Sequence, residues 1–343
     1  MKFLITGGCG FIGSSFIRAI VNNPNYNILN IDAMTNSSSI ESLDSIKFKK
    51  NYQLKKNNIC EFENLKKIIF EYNPDFIINF AAESHVDNSI KSPIKSIHTN
   101  IIGTFNLLEI TRLYNFKNSN NEIKFIHIST DEVYGSLSKN EKSFDERSKF
   151  NPNSPYSASK ASSDHLVRAW NKTYGLKTIT TNCCNNFGPW QFPEKLIPVI
   201  IYNCIYKYKI PVYGNGLNIR EWIYVDDHAE IINQLLTKGH YGETYNIGSG
   251  IEISNLDLVK LICKIFNTKF KTFNYLNLIN FVEDRKGHDF RYSINSNKIL
   301  DLIDDFVFKD FEFYLQNTVD WYLENIEWLN SKVSIFKKNQ YEK

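Results

Sequence analysis

The sequence of 343 residues has no long apolar run and no strong excess of either charge. Because about 18 consecutive apolar residues are needed to cross a bilayer, it predicts no transmembrane helix. The 40 basic and 37 acidic residues give a net charge of +3, which argues against a nucleic-acid-binding protein with a basic surface. No small-residue cleavage site follows an apolar segment near Met1, so we expect no signal peptide. We therefore expect a globular protein with neither a membrane nor a nucleic-acid partner.

Cysteine is also sparse and shows no pattern typical of a metal or redox site. The six cysteines contain no C-x-x-C pair and no metal-ligand spacing. They are Cys9, Cys60, Cys183, Cys184, Cys204 and Cys263. We interpret them as free thiols in a reducing compartment, so the sequence predicts a cytoplasmic protein without a metal site.

Glycine is scarce, at 15 residues, and four of these lie within the first thirteen positions. They are Gly7, Gly8, Gly10 and Gly13. They follow a predicted strand at Phe3–Ile5 and precede a predicted helix at Phe11–Val21, and the next strand, Tyr26–Ile31, is followed by Asp32. This order is typical of a dinucleotide-binding βαβ unit. Asp32 would bind a ribose and repel a 2′-phosphate, which favours NAD; the alternative is that Asp32 only caps a turn.

Predicted strands and helices continue to alternate up to about residue 182. Helices are predicted over 61–72, 92–114 and 155–174, and strands over 75–80, 124–128 and 177–181. Beyond this point short strands are predicted over 210–213, 221–225 and 244–247, with helices over 194–206, 227–238, 254–266 and 312–329. We therefore predict an α/β fold, a Rossmann-type doubly wound parallel sheet with a smaller C-terminal substrate-binding lobe. The predicted domains are residues 1–182 and 183–330, the second with returns to the main sheet, and the predicted flexible tail is 331–343.

A tyrosine and a lysine lie four positions apart on the predicted helix 155–174. This spacing places Tyr156 and Lys160 on one helix face. An ammonium group close to the phenol, beside an oxidised nicotinamide, would lower the pKa of the phenol. Tyr156 could then take a proton from a sugar hydroxyl while a hydride passes to NAD⁺. Such a pair is common by chance, and the glycine motif upstream strengthens its interpretation as a catalytic pair.

Two adjacent acids follow the predicted strand 124–128, within the run Ser129–Gly135. Asp131 and Glu132 would lie at the carboxyl edge of a sheet, where α/β proteins present ligand-binding residues. One carboxyl group could be protonated and donate to a leaving hydroxyl, while the other removes a proton from carbon. The alternative is a loop with two solvated acids.

Several motifs follow one another along nearly the whole chain. They are Ala81–Asp87, Thr99-Asn100, Ser129–Gly135, Ser154–Leu166, Asn185–Pro189, Phe192–Pro198, Arg220-Glu221-Trp222 and Asp284–His288. This ordered series resembles the dTDP-glucose 4,6-dehydratase family of extended short-chain dehydrogenases/reductases.

The resemblance implies an internal redox cycle on a nucleotide diphosphoglucose. Tyr156 would deprotonate the C4 hydroxyl as NAD⁺ accepts a hydride, and Thr130 would orient that hydroxyl. Glu132 would remove the C5 proton, and Asp131 would protonate the departing C6 hydroxyl. Return of the hydride to C6 would give a 4-keto-6-deoxy sugar, the first committed step toward rhamnose-type sugars.

The resemblance also implies the binding residues. Those for the cofactor would be Gly7, Gly10, Phe11, Ile12, Gly13, Asp32, Thr35, Asn58, Ile59, Ala81, Ala82, Thr99, Tyr156, Lys160 and Asn186. Those for the substrate would be Ser84, Thr130, Asn185, Lys195, Leu196, Pro211, Tyr213, Arg220, Asn255, Asp284, Arg285 and His288. Arg220 suits a diphosphate because a guanidinium can bind it with two hydrogen bonds, although a surface salt bridge is the alternative.

Relatives in this family form homodimers through two long helices, here predicted over 92–114 and 155–174. An apolar stripe would fit such an interface and would fit a core-facing helix equally well. Its members are Ile101, Phe105, Leu108 and Leu113.

The chain departs from the family at three places. Asn58 replaces the usual Asp, Asn36–Ser39 replaces Tyr-Ala-Gly-Asn, and Lys286 replaces Pro. These changes leave the choice between dTDP and UDP open, since the two bases differ by one methyl group.

Three other functions remain as alternatives. A nucleotide-sugar 4-epimerase would not need the Asp131-Glu132 pair, and a decarboxylase typically carries Ser at position 131. A non-catalytic NAD-binding protein would tend to lose the tyrosine or the lysine.

Overall fold

Strands and helices alternate through most of the chain, which a computed structural model describes over residues 1–284, 287–303 and 306–341. The strands are β1 (Lys2–Thr6), β2 (Asn27–Asp32), β3 (Tyr52–Lys56), β4 (Phe76–Asn79), β5 (Lys124–Thr130), β6 (Thr178–Cys183), β7 (Asn185–Phe187), β8 (Ile210–Tyr213), β9 (Ile219–Tyr224), β10 (Thr244–Ile247), β11 (Glu252–Ser254) and β12 (Ile279–Val282). The helices are α1 (Phe11–Ile20), α2 (Phe62–Tyr72), α3 (Val86–Lys91), α4 (Pro93–Ser96), α5 (Thr104–Lys117), α6 (Pro155–Tyr174), α7 (Leu196–Tyr206), α8 (Val225–Lys238), α9 (Asn255–Lys269), α10 (Asn297–Leu300), α11 (Phe311–Glu324) and α12 (Ile326–Tyr341).

Seven strands form a parallel sheet in the order β10-β6-β5-β4-β1-β2-β3. The apolar run of β1 buries Phe3, Leu4 and Ile5 completely, as a parallel sheet covered on both faces requires. The strand order reverses between β1 and β4, and doubly wound sheets bind their ligands in the crevice at such a point. The predicted α/β fold class is confirmed.

A second group of elements packs around its own core beyond β6. It contains the sheet β11-β9-β7 and the parallel pair β12-β8, with Phe187, Trp222, Leu258 and Val319 buried between them and the helices. The chain also returns to the main sheet, because β10 pairs with β6 and α8 packs against α1. Among the helices described, none has both the length and the apolar character that a membrane span requires.

Two features of the first lobe differ from the prediction. Strand β3 was not predicted, because it lies at the sheet edge with Gln53 and Lys55 exposed and therefore has no apolar run. The predicted helix 92–114 is interrupted by a π-helical segment at Ile97–Gly103. There Gly103 packs so closely on Ile59 that a Cβ would lie 2.4 Å from the Ile59 side chain. The glycine therefore allows the helix to approach a predicted cofactor residue.

The C-terminal helices differ as well. The predicted helix 312–329 divides at Asn325, whose side-chain amide donates to the Trp321 carbonyl over 2.8 Å. Residues 331–341 of the predicted flexible tail belong to helix α12, which ends at Tyr341, and residues 342–343 lie outside the described residues. Leu329 and Val333 are buried in the core of the second lobe. Their spacing of four residues on one helix face is the signal of a packed helix that the prediction overlooked.

Candidate active site

A cavity of about 1100 Å³ lies at the carboxyl ends of the main-sheet strands and is bounded on its other side by the second lobe. This position is the usual ligand site of a doubly wound sheet. Its size exceeds the usual range of about 300–1,000 Å³ for one ligand, as a site for a cofactor and a substrate requires. All fifteen predicted cofactor residues line it, together with Thr130, Asp131 and Glu132.

The glycine-rich turn between β1 and α1 forms one wall of the cavity. Gly7 has a positive φ of 71°, and the amide of Gly10 donates to its carbonyl over 3.0 Å. A Cβ on Gly13 would lie 2.5 Å from the same carbonyl oxygen, so this turn accepts no side chain there. The cradle leaves the N-terminus of α1 facing the cavity, which fits the pyrophosphate of a dinucleotide.

Asp32 ends β2 and lines the cavity next to this turn. Its carboxylate accepts hydrogen bonds from the Cys9 amide at 2.9 Å, the Met34 amide at 2.8 Å and the Ser38 hydroxyl at 2.8 Å. Asp32 therefore stabilises the surrounding turns, which was the alternative interpretation of this residue. The predicted contact with a ribose stays a prediction.

Asn58, which replaces the usual Asp of the family, lies on the same wall. Its side-chain oxygen accepts a hydrogen bond from the Cys60 amide over 2.9 Å, just before α2 begins. An aspartate could accept the same bond, so this turn tolerates the exchange.

Helix α6 presents Tyr156 and Lys160 to the cavity. A capping box formed by Ser154 and Ser157, with Pro155 at the first position, starts the helix directly before the tyrosine. The Lys160 ammonium is only 3% exposed and donates to the Ile128 carbonyl over 2.8 Å. The local sequence thus determines where the helix begins, and the hydrogen bond to the neighbouring strand holds the Lys160 side chain in position.

The charges around Tyr156 act against the predicted lowering of its pKa. Burial, followed by the negative charge of Glu132, raises the pKa of the phenol well above its ordinary value, and a hydrogen bond with Thr130 opposes this only in part. Burial also lowers the pKa of Lys160. Deprotonation of Tyr156 near neutral pH therefore needs additional positive charge, and an oxidised nicotinamide would bring it into the cavity.

A buried polar network, which the sequence did not predict, lies behind Lys160. The His127 ring nitrogen Nε2 lies 3.5 Å from Lys160 Nζ and 3.3 Å from Asp164 Oδ1. The other oxygen of Asp164 accepts from Ser129 at 2.9 Å and from Asn182 at 3.0 Å. Burial and Lys160 lower the pKa of His127 to about 4, so the ring is neutral and Asp164 is the nearby negative charge for the ammonium. The four-residue spacing of Tyr156, Lys160 and Asp164 could have indicated this.

Asp131 and Glu132 begin a 3₁₀ turn, Asp131–Tyr134, at the end of β5. Asp131 is only 2% exposed, and the Thr130 hydroxyl donates to its Oδ1 over 3.3 Å. Burial, and then the charge of Glu132, raises the pKa of Asp131 well above its usual range. The alternative of two solvated acids therefore does not apply to Asp131. The pair places a buried carboxyl group with a raised pKa next to a second carboxyl group at the cavity wall, as acid–base catalysis requires.

The second lobe contributes the opposite wall of the cavity. Arg220 is buried, donates to three main-chain carbonyls, those of Ile219, Asp289 and Phe290, and lies 4.3 Å from the centre of the Tyr292 ring. It is therefore not a surface salt bridge. The predicted substrate residues that line the cavity are Ser84, Thr130, Asn185, Lys195, Leu196, Pro211, Tyr213, Arg220, Asn255 and His288. Asp284 Oδ1 forms a hydrogen bond with His288 Nδ1 over 2.6 Å. Arg285, and Lys286 at which the chain departs from the family, lie outside the described residues.

Two contacts join the lobes across the mouth of the cavity. Glu194 lies 3.4 Å from His85 Nε2, and Lys195 Nζ donates to the Ser84 carbonyl over 2.7 Å. His85 and Glu194 were not predicted as site residues, although both lie within the motifs quoted above. Burial raises the pKa of Glu194 despite the neighbouring Lys195. The segment before α7 is thus held against the segment that follows β4.

Comparison with known proteins agrees with this geometry. Residues 4–304 match the family model described as GDP-mannose 4,6 dehydratase. A dTDP-glucose 4,6-dehydratase from Escherichia coli is 47% identical over 344 residues, covering 96% of this chain and 95% of that protein.

Solved structures give the same result. The dTDP-glucose 4,6-dehydratase from Bacillus anthracis, in complex with NAD, has a TM-score of 0.86 at 42% identity, covering 97% of this chain and 99% of that one. The enzyme of the same name from Streptomyces venezuelae, with NAD and a dTDP ligand bound, has a TM-score of 0.87 at 38% identity, covering 96% and 98%. A UDP-glucose 4-epimerase from Thermotoga maritima has a TM-score of 0.83 at only 27% identity, covering 95% and 100%.

Proposed function

The chain belongs to the dTDP-glucose 4,6-dehydratase family, and on this premise we propose that it converts dTDP-glucose into dTDP-4-keto-6-deoxyglucose with NAD as cofactor. The observation that carries the proposal is the buried Asp131 beside Glu132 in the cavity that Tyr156 and Lys160 also face. An epimerase moves a hydride without losing water, so it has no use for this acid pair.

The first half of the proposed reaction takes place at C4 of the sugar. Tyr156 accepts the proton of the C4 hydroxyl, which Thr130 orients, and Lys160 holds the nicotinamide ribose. NAD⁺, held by the residues of the cofactor wall, would supply the acceptor for the C4 hydride and the source of the hydride needed at the end of the cycle. The ketone formed at C4 makes the proton at C5 acidic.

The second half removes water across C5 and C6. Glu132 takes the C5 proton, and Asp131 gives its proton to the C6 hydroxyl, which leaves as water. The hydride would then return to C6 and the proton held by Glu132 to C5. Tyr156 would release the C4 hydroxyl proton to solvent and Asp131 would regain one, so that the cofactor and all three side chains would return to their starting states. The raised pKa of Asp131 supports its role as the acid.

The two lobes divide the binding of the ligands in this proposal. Residues 1–182 bind NAD and carry the catalytic groups, whereas residues 183–330 supply most contacts to the nucleotide sugar. Arg220 and Lys195 would provide positive charge for the diphosphate, with Arg220 held in place by the carbonyls that it contacts.

The substrate assay tests the function directly. Purified protein incubated with dTDP-glucose is expected to form a 4-keto product, detected by its absorbance in alkali. With UDP-glucose we expect a kcat/KM lower by about 10–200-fold, the discrimination that one methyl group in a pocket provides. Failure to form product from either sugar would overturn the proposal, and C4 epimer without loss of water would favour the epimerase.

We expect a homodimer, as the family resemblance implies. The apolar face suited to an interface differs from the predicted stripe, because Leu108 lies in the core whereas Ile94, Ile97, Ile102 and Phe105 are exposed. Replacing Phe105→Asp is expected to change the mass in light scattering from twice 40.0 kDa to 40.0 kDa. Phe48→Asp, at an exposed position of the segment before β3, is the matched control and should stay dimeric. A wild-type monomer would contradict the expectation.

A reducing, cytoplasmic location is proposed on chemical grounds. The cysteines are free thiols, and all except Cys60 are buried. A compartment that keeps thiols reduced suits this state.

A further inference from the structure

We propose that helix α12 is part of the cofactor site and determines how long NAD stays bound, by holding the loop of residues 35–43 in place. This inference rests on the proposed function, because that reaction stores a hydride on the cofactor between its two halves. Trp328 and Lys332 are the positioning residues. Neither is among the residues that the family resemblance assigns to cofactor binding.

The contacts between the helix and the loop are specific. Lys332 Nζ lies 3.1 Å from both carboxylate oxygens of Glu41, and the Trp328 indole donates to the Ser39 hydroxyl over 2.9 Å. The Ser39 hydroxyl in turn donates to Glu41 over 2.8 Å. The Lys332 side chain is only 8% exposed, whereas that of Glu41 is 42% exposed, so the ion pair is half-buried and solvent screens it from the Glu41 side.

The same loop contacts the cofactor wall of the cavity. The Ser39 amide donates to the carbonyl of Cys9, within the glycine-rich turn, over 2.7 Å. The Ser38 hydroxyl donates to Asp32 over 2.8 Å. Thr35, Ser37 and Ser38 themselves line the cavity. A displacement of the loop would therefore disturb both the glycine turn and Asp32.

Helix α12 is anchored in the second lobe. Leu329 belongs to the core of that lobe, and the Trp328 ring lies 5.3 Å from the rings of both Trp190 and Trp321. Trp190 directly precedes Gln191, a cavity residue whose carbonyl accepts from Tyr322 over 2.6 Å. The helix thus connects the substrate-binding lobe to the loop at the cofactor wall, and the loop can leave only when these contacts break.

Retention of the cofactor matters because the reduced form must return its hydride to the sugar from which it came. If NADH left between the two halves of the reaction, the sugar would remain as its C4 ketone and no hydride would be available for C6. The loop carries Asn36–Ser39, small polar residues with little apolar area to pack by themselves. The contacts from α12 supply the order that these residues lack.

Two variants test the proposal in the full-length protein. Trp328→Phe removes the indole donor, and Lys332→Met removes the charge while keeping an apolar side chain. We expect the double variant to release NAD about tenfold faster, the change that loss of one or two charged hydrogen bonds produces. The measurements are the amount of NAD retained per chain after gel filtration and the rate at which NAD is released in excess competitor. When NAD is added back, we expect the apparent KM for NAD to rise by more than kcat falls.

The controls separate retention from general damage. Lys298→Met breaks the 2.8 Å pair with Glu243 at β10 and should retain NAD as the wild type does. Glu41→Gln, in the loop itself, repeats the test if a helix variant does not fold. Exchange of the charges, Glu41→Lys with Lys332→Glu, should restore slow release. Wild-type release rates in the Lys332 and Glu41 variants would overturn the proposal. Because NAD release is measured without substrate, a failed dehydratase assay would leave this result interpretable.

Discussion

A double variant, Asp131→Asn with Glu132→Gln, is expected to oxidise C4 of dTDP-glucose and then stop before water is lost. Both substitutions keep the shape of the side chains and remove the acid and the base. Each such group contributes about 10²–10⁴-fold to a rate, so 4-keto-6-deoxy product should fall below detection. Reduced nicotinamide should accumulate on the protein instead, and its absorbance is the measurement.

The Asp131→Asn single variant tests the role of the acid. Asp131→Asn alone should abolish the part of the pH profile that depends on the acid: because the pKa of Asp131 is raised, wild-type elimination is lost only as the pH rises through that raised value. An exposed double variant, Asp44→Asn with Glu63→Gln, controls for the loss of two charges. Formation of 6-deoxy sugar by the Asp131/Glu132 variant would show that the proposed roles are wrong.

Tyr156→Phe should block the reaction at its first step. The phenol is the base proposed for the C4 hydroxyl, so both product and reduced nicotinamide should be absent, with kcat lower by at least about 10²-fold. The wild-type oxidation rate should rise with pH until the phenol is deprotonated, because its pKa is raised by burial and by Glu132. Single-turnover absorbance measures the step.

Tyr134→Phe is a matched control for this prediction. It removes another buried phenol hydroxyl, which donates to Asn246 over 2.8 Å and is not among the groups that line the cavity. We expect this variant to reduce its nicotinamide at a rate close to the wild-type rate. A Tyr156→Phe variant that still reduced nicotinamide on addition of substrate would exclude the phenol as the base.

Features that depend on neighbours in the sequence could be predicted. The glycine turn follows from the spacing of Gly7, Gly10 and Gly13 between a strand and a helix, and Tyr156 with Lys160 follows from the spacing of one helical turn. The glycine turn and the Tyr156/Lys160 spacing together predicted the position of the cavity, because the carboxyl ends of parallel strands meet at one edge of the sheet. The acid pair was predicted from its place after β5, and the burial of Asp131 could be known only from the packed structure.

Features that depend on distant contacts could not be predicted. Trp328 and Ser39 are 289 positions apart, and His127 and Asp164 meet only because β5 packs against α6. The sign of the pKa shift of Tyr156 also came from this packing: the spacing suggested Lys160 as the main influence, whereas burial and Glu132 dominate. The exposed strand β3 lacked the apolar run that indicates a strand.

The place of β10 in the main sheet has a consequence for folding. The edge of β6 is covered only when residues 244–247 pair with it, more than sixty residues later in the chain. In the same lobe α1 packs against α8, and the Ser15 hydroxyl donates to Asp226 over 2.6 Å. A nascent chain therefore exposes an unpaired parallel edge, which favours aggregation, until its second half has been synthesised. The two lobes, to which the proposal gives different parts in ligand binding, must therefore complete folding together.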